Sequence, residues 1–216
     1  MKLINGKEFF IRGAVSLAGI MFVAVCAALL YLINLGSEPY QVLCVGVHKT
    51  FGISYGMANY VLNGIILIIL ILFYRKYIRL ALIIAMTCFG FFVDCFVILF
   101  QGILGNEMGF LLKIIVVIIA FLILSLGVYL YLLPNLGAAP AEALGLIVCG
   151  WIKQPYKRTR ILMDAAYTFL GFLMGGTVGI ATILSICITG PMIGVFGNLL
   201  ERTKLIQYVI NISQEK

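Results

Sequence analysis

Six predominantly apolar runs, at about residues 12–33, 55–74, 79–100, 110–133, 161–177 and 179–200, dominate the chain. Each is long enough to cross a bilayer, since a hydrocarbon core of ~30 Å takes ~20 residues of helix. Inside lipid, every backbone N–H and C=O has to be satisfied by the segment itself, so such runs fold as helices. The chain is 63% hydrophobic and 11% charged, against roughly 25% charged in an average soluble domain, which leaves no mass for a soluble module or a linker. The expected class is an all-α polytopic membrane protein forming one compact membrane domain. The basic N-terminus followed by an apolar run superficially resembles a secretory signal. The run from Ala14 to Ile33 is nevertheless as long as a full span, and Cys26 preceded by Val25 makes a poor lipoprotein cleavage site, so the segment reads as a retained signal-anchor helix.

Charge orients these runs. Thirteen of the fifteen Lys and Arg residues can be placed on one side of the membrane: Lys2, Lys7 and Arg12; Arg75, Lys76 and Arg79; Lys153, Lys157, Arg158 and Arg160; Arg202, Lys204 and Lys216. Positive charge resists translocation, so these segments and both termini are expected in the cytoplasm of a bacterial cell with a multi-pass protein in its inner membrane. Lys49 and Lys113 are the exceptions. The net charge of +7 arises from these connections and therefore says nothing about nucleic acid. The expected partner is the bilayer itself. Trp151 and Tyr156 flank Lys153 and Lys157, and Tyr74 and Tyr77 flank Arg75-Lys76, as interfacial anchors.

Two further apolar segments, at about 38–50 and 139–152, are shorter. A helix of ~13 residues reaches only ~20 Å, which suggests half-helices or re-entrant elements. They open alike, with Asn34-Leu35-Gly36-Ser37-Glu38-Pro39 and Asn135-Leu136-Gly137-Ala138-Ala139-Pro140. Gly36 and Gly137 permit backbone geometries closed to other residues, while Pro39 and Pro140 suit a first helical position, where no N–H is needed. Each phrase follows a long run and precedes two more, an internal duplication offset by 101 residues (39 to 140). At that offset Gln41 matches Glu142 and Asn63 matches Asp164. The repeats divide as 1–104 and 105–216. If the short segments do not cross, each half has three spans and the halves are inverted, giving six transmembrane helices as 3+3 inverted repeats. If they cross, eight helices form 4+4 parallel repeats, with three positive charges in one short exterior loop. The six-span arrangement is preferred.

Several phrases carry a family resemblance: Leu35-Gly36-x-x-Pro39, Gly52-Ile53-Ser54-x-Gly56, Phe89-Gly90-x-x-x-Asp94, Gly175-Gly176-Thr177-Val178-Gly179-Ile180-Ala181-Thr182, and Thr189-Gly190-Pro191. With these the chain resembles the bacterial YczE/YitT-type integral membrane proteins over most of its length. It departs in having Ala181 where Gly is frequent and Glu38 where Asp is frequent. The resemblance implies a multi-span protein of the cell membrane and brings no substrate or reaction with it.

Function has to be sought among ionisable groups inside the spans, where each costs at least ~2.5 kcal/mol at a helix centre. Asp94 lies deep in the third run with no charged residue within seven positions on either side, so it is either hydrogen-bonded structurally or part of a substrate, proton or cation site. Asp164 either pairs with Arg160 at (i, i+4) or lines a central cleft together with Asn63. Lys113, near the end of its run, either snorkels to the surface or neutralises Asp94 or an anionic ligand. Glu38, Gln41 and Glu142 sit in the first turns of the short helices, where carboxylates serve as caps; in inverted-repeat transporters such termini bind substrate or coupling ions near the midplane. The helix breaks at Gly36, Pro39, Gly137 and Pro140 would put them there.

The remaining constellations are bland. The six cysteines are scattered without a CxxC pair, and His48, expected at the exterior, is the only histidine, so neither a metal site nor a cofactor is expected. No Gly-rich loop is followed by Lys-Ser or Lys-Thr, and no HExxH occurs, so no enzymatic activity is expected. The 201–210 tail alternates apolar residues but is too short to span, which places it along the membrane surface. Two functions fit: a small transporter or permease moving a small polar or anionic solute by alternating access, with proton coupling through Asp94 and Glu142, or a non-transporting partner of another membrane system. A homo-oligomer or a membrane-protein partner fits either.

Overall fold

A computed structural model describes residues 6–75, 78, 80–104, 108–137, 139–154 and 156–214. Among them are nine helices and no strand: α1 (Gly6–Ile33), α2 (Pro39–Phe51), α3 (Tyr55–Phe73), α4 (Leu80–Gln101), α5 (Phe110–Leu132), α6 (Pro140–Ile152), α7 (Tyr156–Leu173), α8 (Ile180–Leu200) and α9 (Lys204–Gln214). Four segments are long and apolar enough to cross a membrane, lying in α1, α3, α4 and α5. Shorter apolar helical segments occupy Ala143–Ile152 and Pro191–Leu200. Large apolar side chains such as Ile68 and Leu72 on α3, Leu111 and Ile115 on α5, and Phe169 and Leu173 on α7 face outward. A surface of this kind belongs in lipid, where it has nothing to gain from burial.

The two short helices recur in backbone detail. Asn34 and Asn135 adopt φ of 58° and 51°, and Gly36 and Gly137 of 102° and 120°. The left-handed region closes one helix and redirects the chain, and Asn and Gly are the residues that enter it at least cost. Each short helix then starts on proline, runs 13 residues, and ends on a left-handed residue, Gly52 (φ 66°) in one and Lys153 (φ 51°) in the other. The next helices start at Tyr55 and Tyr156, so the 101-residue spacing continues (55 to 156).

α1 and α5 run antiparallel. Near the start of α1, Arg12 donates to the Pro134 carbonyl just after α5, at 3.1 and 2.7 Å. Midway, Gly19 meets Gly127 and Tyr131; near the end, Leu30 and Ile33 cluster with Val117 and Phe121. A Cβ on Gly19 would sit 2.4 Å from the Tyr131 nitrogen, so only glycine allows this approach.

Depth along α3 places the short helices. α2 lies antiparallel to it: Cys44 is level with Asn59 and Tyr40 with Asn63, which is eight residues (55 to 63), or ~12 Å, into α3. α6 follows α3 in the same direction, with Ala143 and Ile147 clustering with Ile66 and Leu70, and Trp151 meeting Tyr74. Both short helices therefore begin near the level of Asn63, midway along α3, and leave in opposite directions. The carboxyl ends of α1, α2 and α7 meet at one end of the bundle, where the Thr177 hydroxyl bonds to Asn34 (2.8 Å) and Lys49 (3.2 Å), and Thr50 donates to the Met174 carbonyl.

The tail forms a helix of its own. Ile206, Val209 and Ile212 of α9 are buried, and α9 packs against α1. Their spacing matches a helical period, which gives the segment one apolar face. Of the expected anchors, Trp151 donates its indole N–H to the Tyr74 hydroxyl. Tyr77 and the Tyr156 side chain lie outside the described part of the structure.

Candidate functional site

A chain of polar side chains is buried between α2 and α3. The Tyr40 hydroxyl donates to Asn63 Oδ1 (2.7 Å), Asn63 Nδ2 to Asn59 Oδ1 (2.6 Å), and Asn59 Nδ2 to Cys44 Sγ (3.6 Å). One turn along, the Tyr55 hydroxyl donates to Gln41 Oε1 at 2.6 Å. Asn59, Asn63, Gln41 and Tyr55 are all buried. In lipid such groups persist only where each has a partner, and the four-residue spacing of Asn59 and Asn63 stacks both on the face of α3 turned to α2. Just before α2 sits Ser37, 3% exposed, whose hydroxyl makes no hydrogen bond. Tyr40 also meets Tyr167 of α7 edge-on, with ring centroids 5.3 Å apart.

Asp94 lies elsewhere, against the first turn of α3. Its Oδ2 accepts the Ser54 hydroxyl (2.6 Å) and its Oδ1 the Gly56 N–H (2.7 Å). Ser54 is itself the N-cap of α3, accepting from the Met57 N–H. A carboxylate at a helix N-terminus meets unsatisfied N–H groups and the positive end of the dipole, which offsets its removal from water. The approach needs glycines on both helices, because a Cβ on Gly56 would fall 2.2 Å from the Gly90 carbonyl oxygen. Beside Asp94, His48 Nδ1 bonds the Ile53 carbonyl at 2.5 Å and Nε2 the Tyr31 hydroxyl at 2.8 Å. A carbonyl can only accept, so Nδ1 carries the proton, and in the neutral ring Nε2 accepts from Tyr31.

Asp164 pairs with Arg160 at 3.3 Å, one helical turn away on α7. Lys113 is half-buried in the first turn of α5. Glu38 holds the N-cap position of α2, but its side chain makes no cap bond there. Glu142 lies in the first turn of α6, and its side chain is outside the described part of the structure. Sequence reading passed over Tyr31, Tyr40, Tyr55 and Asn59, named Ser54 only within a family phrase, and read His48 only as an exterior histidine. Ser54 had a signal, a hydroxyl residue directly before an apolar run; the tyrosines had none, since their hydroxyl partners lie on other helices.

Residues 10–198 match a family described as "Family of unknown function (DUF6198)". The chain belongs to that family. The chain is 30% identical to the "Uncharacterized protein YyaS" of Bacillus subtilis, over 85% of this chain and 91% of that protein. It is 25% identical to the "Uncharacterized membrane protein YczE" of the same organism, over 82% and 79% of the two chains. An "Uncharacterized protein" of Haemophilus influenzae is 26% identical over 83% and 80%. No solved structure matches. Kinship with a YczE-type membrane protein agrees with the apolar helices, and the protein is a membrane protein.

Proposed function

We propose that this protein is a transporter of a small polar or anionic solute, working by alternating access rather than as an enzyme. The observation that carries the proposal is the common starting level of α2 and α6, midway along α3, from which they leave in opposite directions. Helix N-termini placed at mid-depth present unbonded N–H groups where irregular backbone can only line a pathway or be buried in protein. The unpartnered Ser37 hydroxyl and the Tyr40–Asn63–Asn59 chain lie at that level and offer the hydrogen bonds a desolvated solute needs.

The antiparallel course of α1 and α5 supports 3+3 inverted repeats, because each opens its repeat and parallel 4+4 repeats would run them the same way. In the accompanying topology both termini are cytoplasmic in a bacterial inner membrane, and Asp94 and Glu142 carry the coupling proton. The alternative, a non-transporting partner docking through small-residue faces, draws less support: Gly19, Gly46, Gly56, Gly90, Gly127 and Gly171 all meet other helices of the same chain.

The test is Ser37→Cys in a cysteine-free background, reacted in proteoliposomes with a membrane-impermeant thiol reagent. Alternating access requires labelling from each side in turn, and Asp94→Asn should abolish proton-coupled uptake in a folded protein. A thiol at position 37 that reacts from neither side would leave a sealed structural core and end the proposal.

A further inference from the structure

The Asp94 carboxylate borders a pocket of about 270 Å³ that shares only Tyr55 with the polar groups between α2 and α3. It is also lined by Tyr31 and Tyr55, whose rings stack with centroids 5.0 Å apart, by Val97 and Ile98 of α4, and by His48 and Ser54. We infer that this pocket binds a small organic ammonium ion, at the end of the bundle where α1, α2 and α7 converge. The inference does not depend on the protein being a transporter.

Charge comes first. Among the described residues Asp94 is the one acid on the lining and no Lys or Arg joins it; Lys49, the neighbour of His48, is held by the Thr177 hydroxyl at 3.2 Å. Two of the carboxylate's roughly four acceptor positions are filled by Ser54 and Gly56, which leaves about two for a ligand N–H or for contact with a quaternary ammonium. The nearby polar hydrogens already have partners: His48 Nδ1–H bonds the Ile53 carbonyl, and the Tyr31 hydroxyl and His48 Nε2 bond each other. An anion would meet these committed donors and would face Asp94.

Shape and polarity choose among cations. Tyrosine rings and two aliphatic side chains suit the alkyl shell of an organic cation, and aromatic surface beside a carboxylate is the usual setting for alkylammonium recognition. A calcium or magnesium ion asks for about six or more oxygen ligands, and the wall is mostly hydrocarbon. The volume lies just under the ~300 Å³ at which drug-sized pockets begin, so the ligand is small. Tyr55 links the pocket to the interior, since its ring lines the wall while its hydroxyl bonds Gln41 of α2. A proton and an ammonium would compete for the same carboxylate.

The experiment is titration calorimetry on the purified full-length protein in detergent. The probes are choline, its uncharged carbon isostere 3,3-dimethylbutan-1-ol, acetate, and sodium chloride at matched ionic strength. Choline should bind saturably and at least tenfold more tightly than the isostere, with no saturable heat from acetate. Asp94→Asn should weaken choline at least tenfold. Because Asp94 also braces α3, Ile98→Trp is the second variant: it fills the pocket from α4, leaves the Ser54 and Gly56 bonds intact, and should abolish choline binding with the melting temperature retained. Equal binding of choline and its isostere, saturable sodium binding without choline binding, or undiminished choline binding in a folded Ile98→Trp protein would each overturn the assignment. The Ser37→Cys labelling result is independent of these outcomes, so either proposal can fail alone.

Discussion

Gly56→Ala and Gly64→Ala place the same substitution on the same helix and should give opposite results. At Gly56 the new methyl would fall 2.2 Å from the Gly90 carbonyl oxygen and 2.6 Å from Asp94 Oδ2, whereas at Gly64 nothing lies within 4 Å. Carbon and oxygen pack at roughly 3.2 Å or more, so α3 and α4 would have to separate by about 1 Å. That displacement breaks or stretches the 2.7 Å bond from the Gly56 N–H to Asp94. Overpacking costs about 1–3 kcal/mol and loss of a hydrogen bond to a charged group about 1.5–3 kcal/mol. The gain in helix propensity returns up to about 1 kcal/mol, less in a first turn. The net cost is about 1.5–6 kcal/mol, while Gly64→Ala should be neutral or stabilising by up to about 1 kcal/mol. Reversible unfolding in mixed micelles, following helicity against denaturing detergent, measures both. Equal stability of the two variants would refute the close α3–α4 crossing and with it the placement of Asp94 at the α3 N-terminus.

Three further outcomes follow from the same geometry. Lys153→Gly should stabilise by about 0.5–1 kcal/mol and Gly52→Ala destabilise by about 1 kcal/mol, because both residues are left-handed C-caps and Cβ is penalised there; unfolding midpoints check the pair of signs. Asn63→Leu takes away the bonds that Asn63 makes to the Tyr40 hydroxyl and to Asn59 Oδ1, and should cost about 1–3 kcal/mol in the same unfolding assay. Thr50→Cys, in a cysteine-free protein in intact cells, should react with an impermeant thiol reagent, and Arg75→Cys only after permeabilisation; the reverse pattern would invert the topology.

Much of the frame was legible because lipid imposes it. Apolar length marked α1, α3, α4 and α5, and the Asn-Leu-Gly-x-x-Pro phrases marked the breaks, since φ near +60° or above and a proline start are properties of single residues. The candidate residues were legible only in part. Asp94 stood out as a lone carboxylate in an apolar run, yet its partners Ser54 and Gly56 lie 40 and 38 positions away. Asp164 offered two readings of equal local merit, and its pairing with Arg160 at 3.3 Å needed only one turn of helix.

Sequence alone determined that the chain is helical and membrane-bound and that its short helices follow Asn-Leu-Gly-x-x-Pro breaks, because backbone satisfaction in hydrocarbon and residue-level φ preferences are local constraints. Tertiary structure decided that α1 and α5 run antiparallel, that both short helices start level with Asn63, and that Asp94 shares a pocket with Tyr31 and His48 rather than with Asp164. Those facts depend on which faces of distant helices meet, and composition and spacing leave that open.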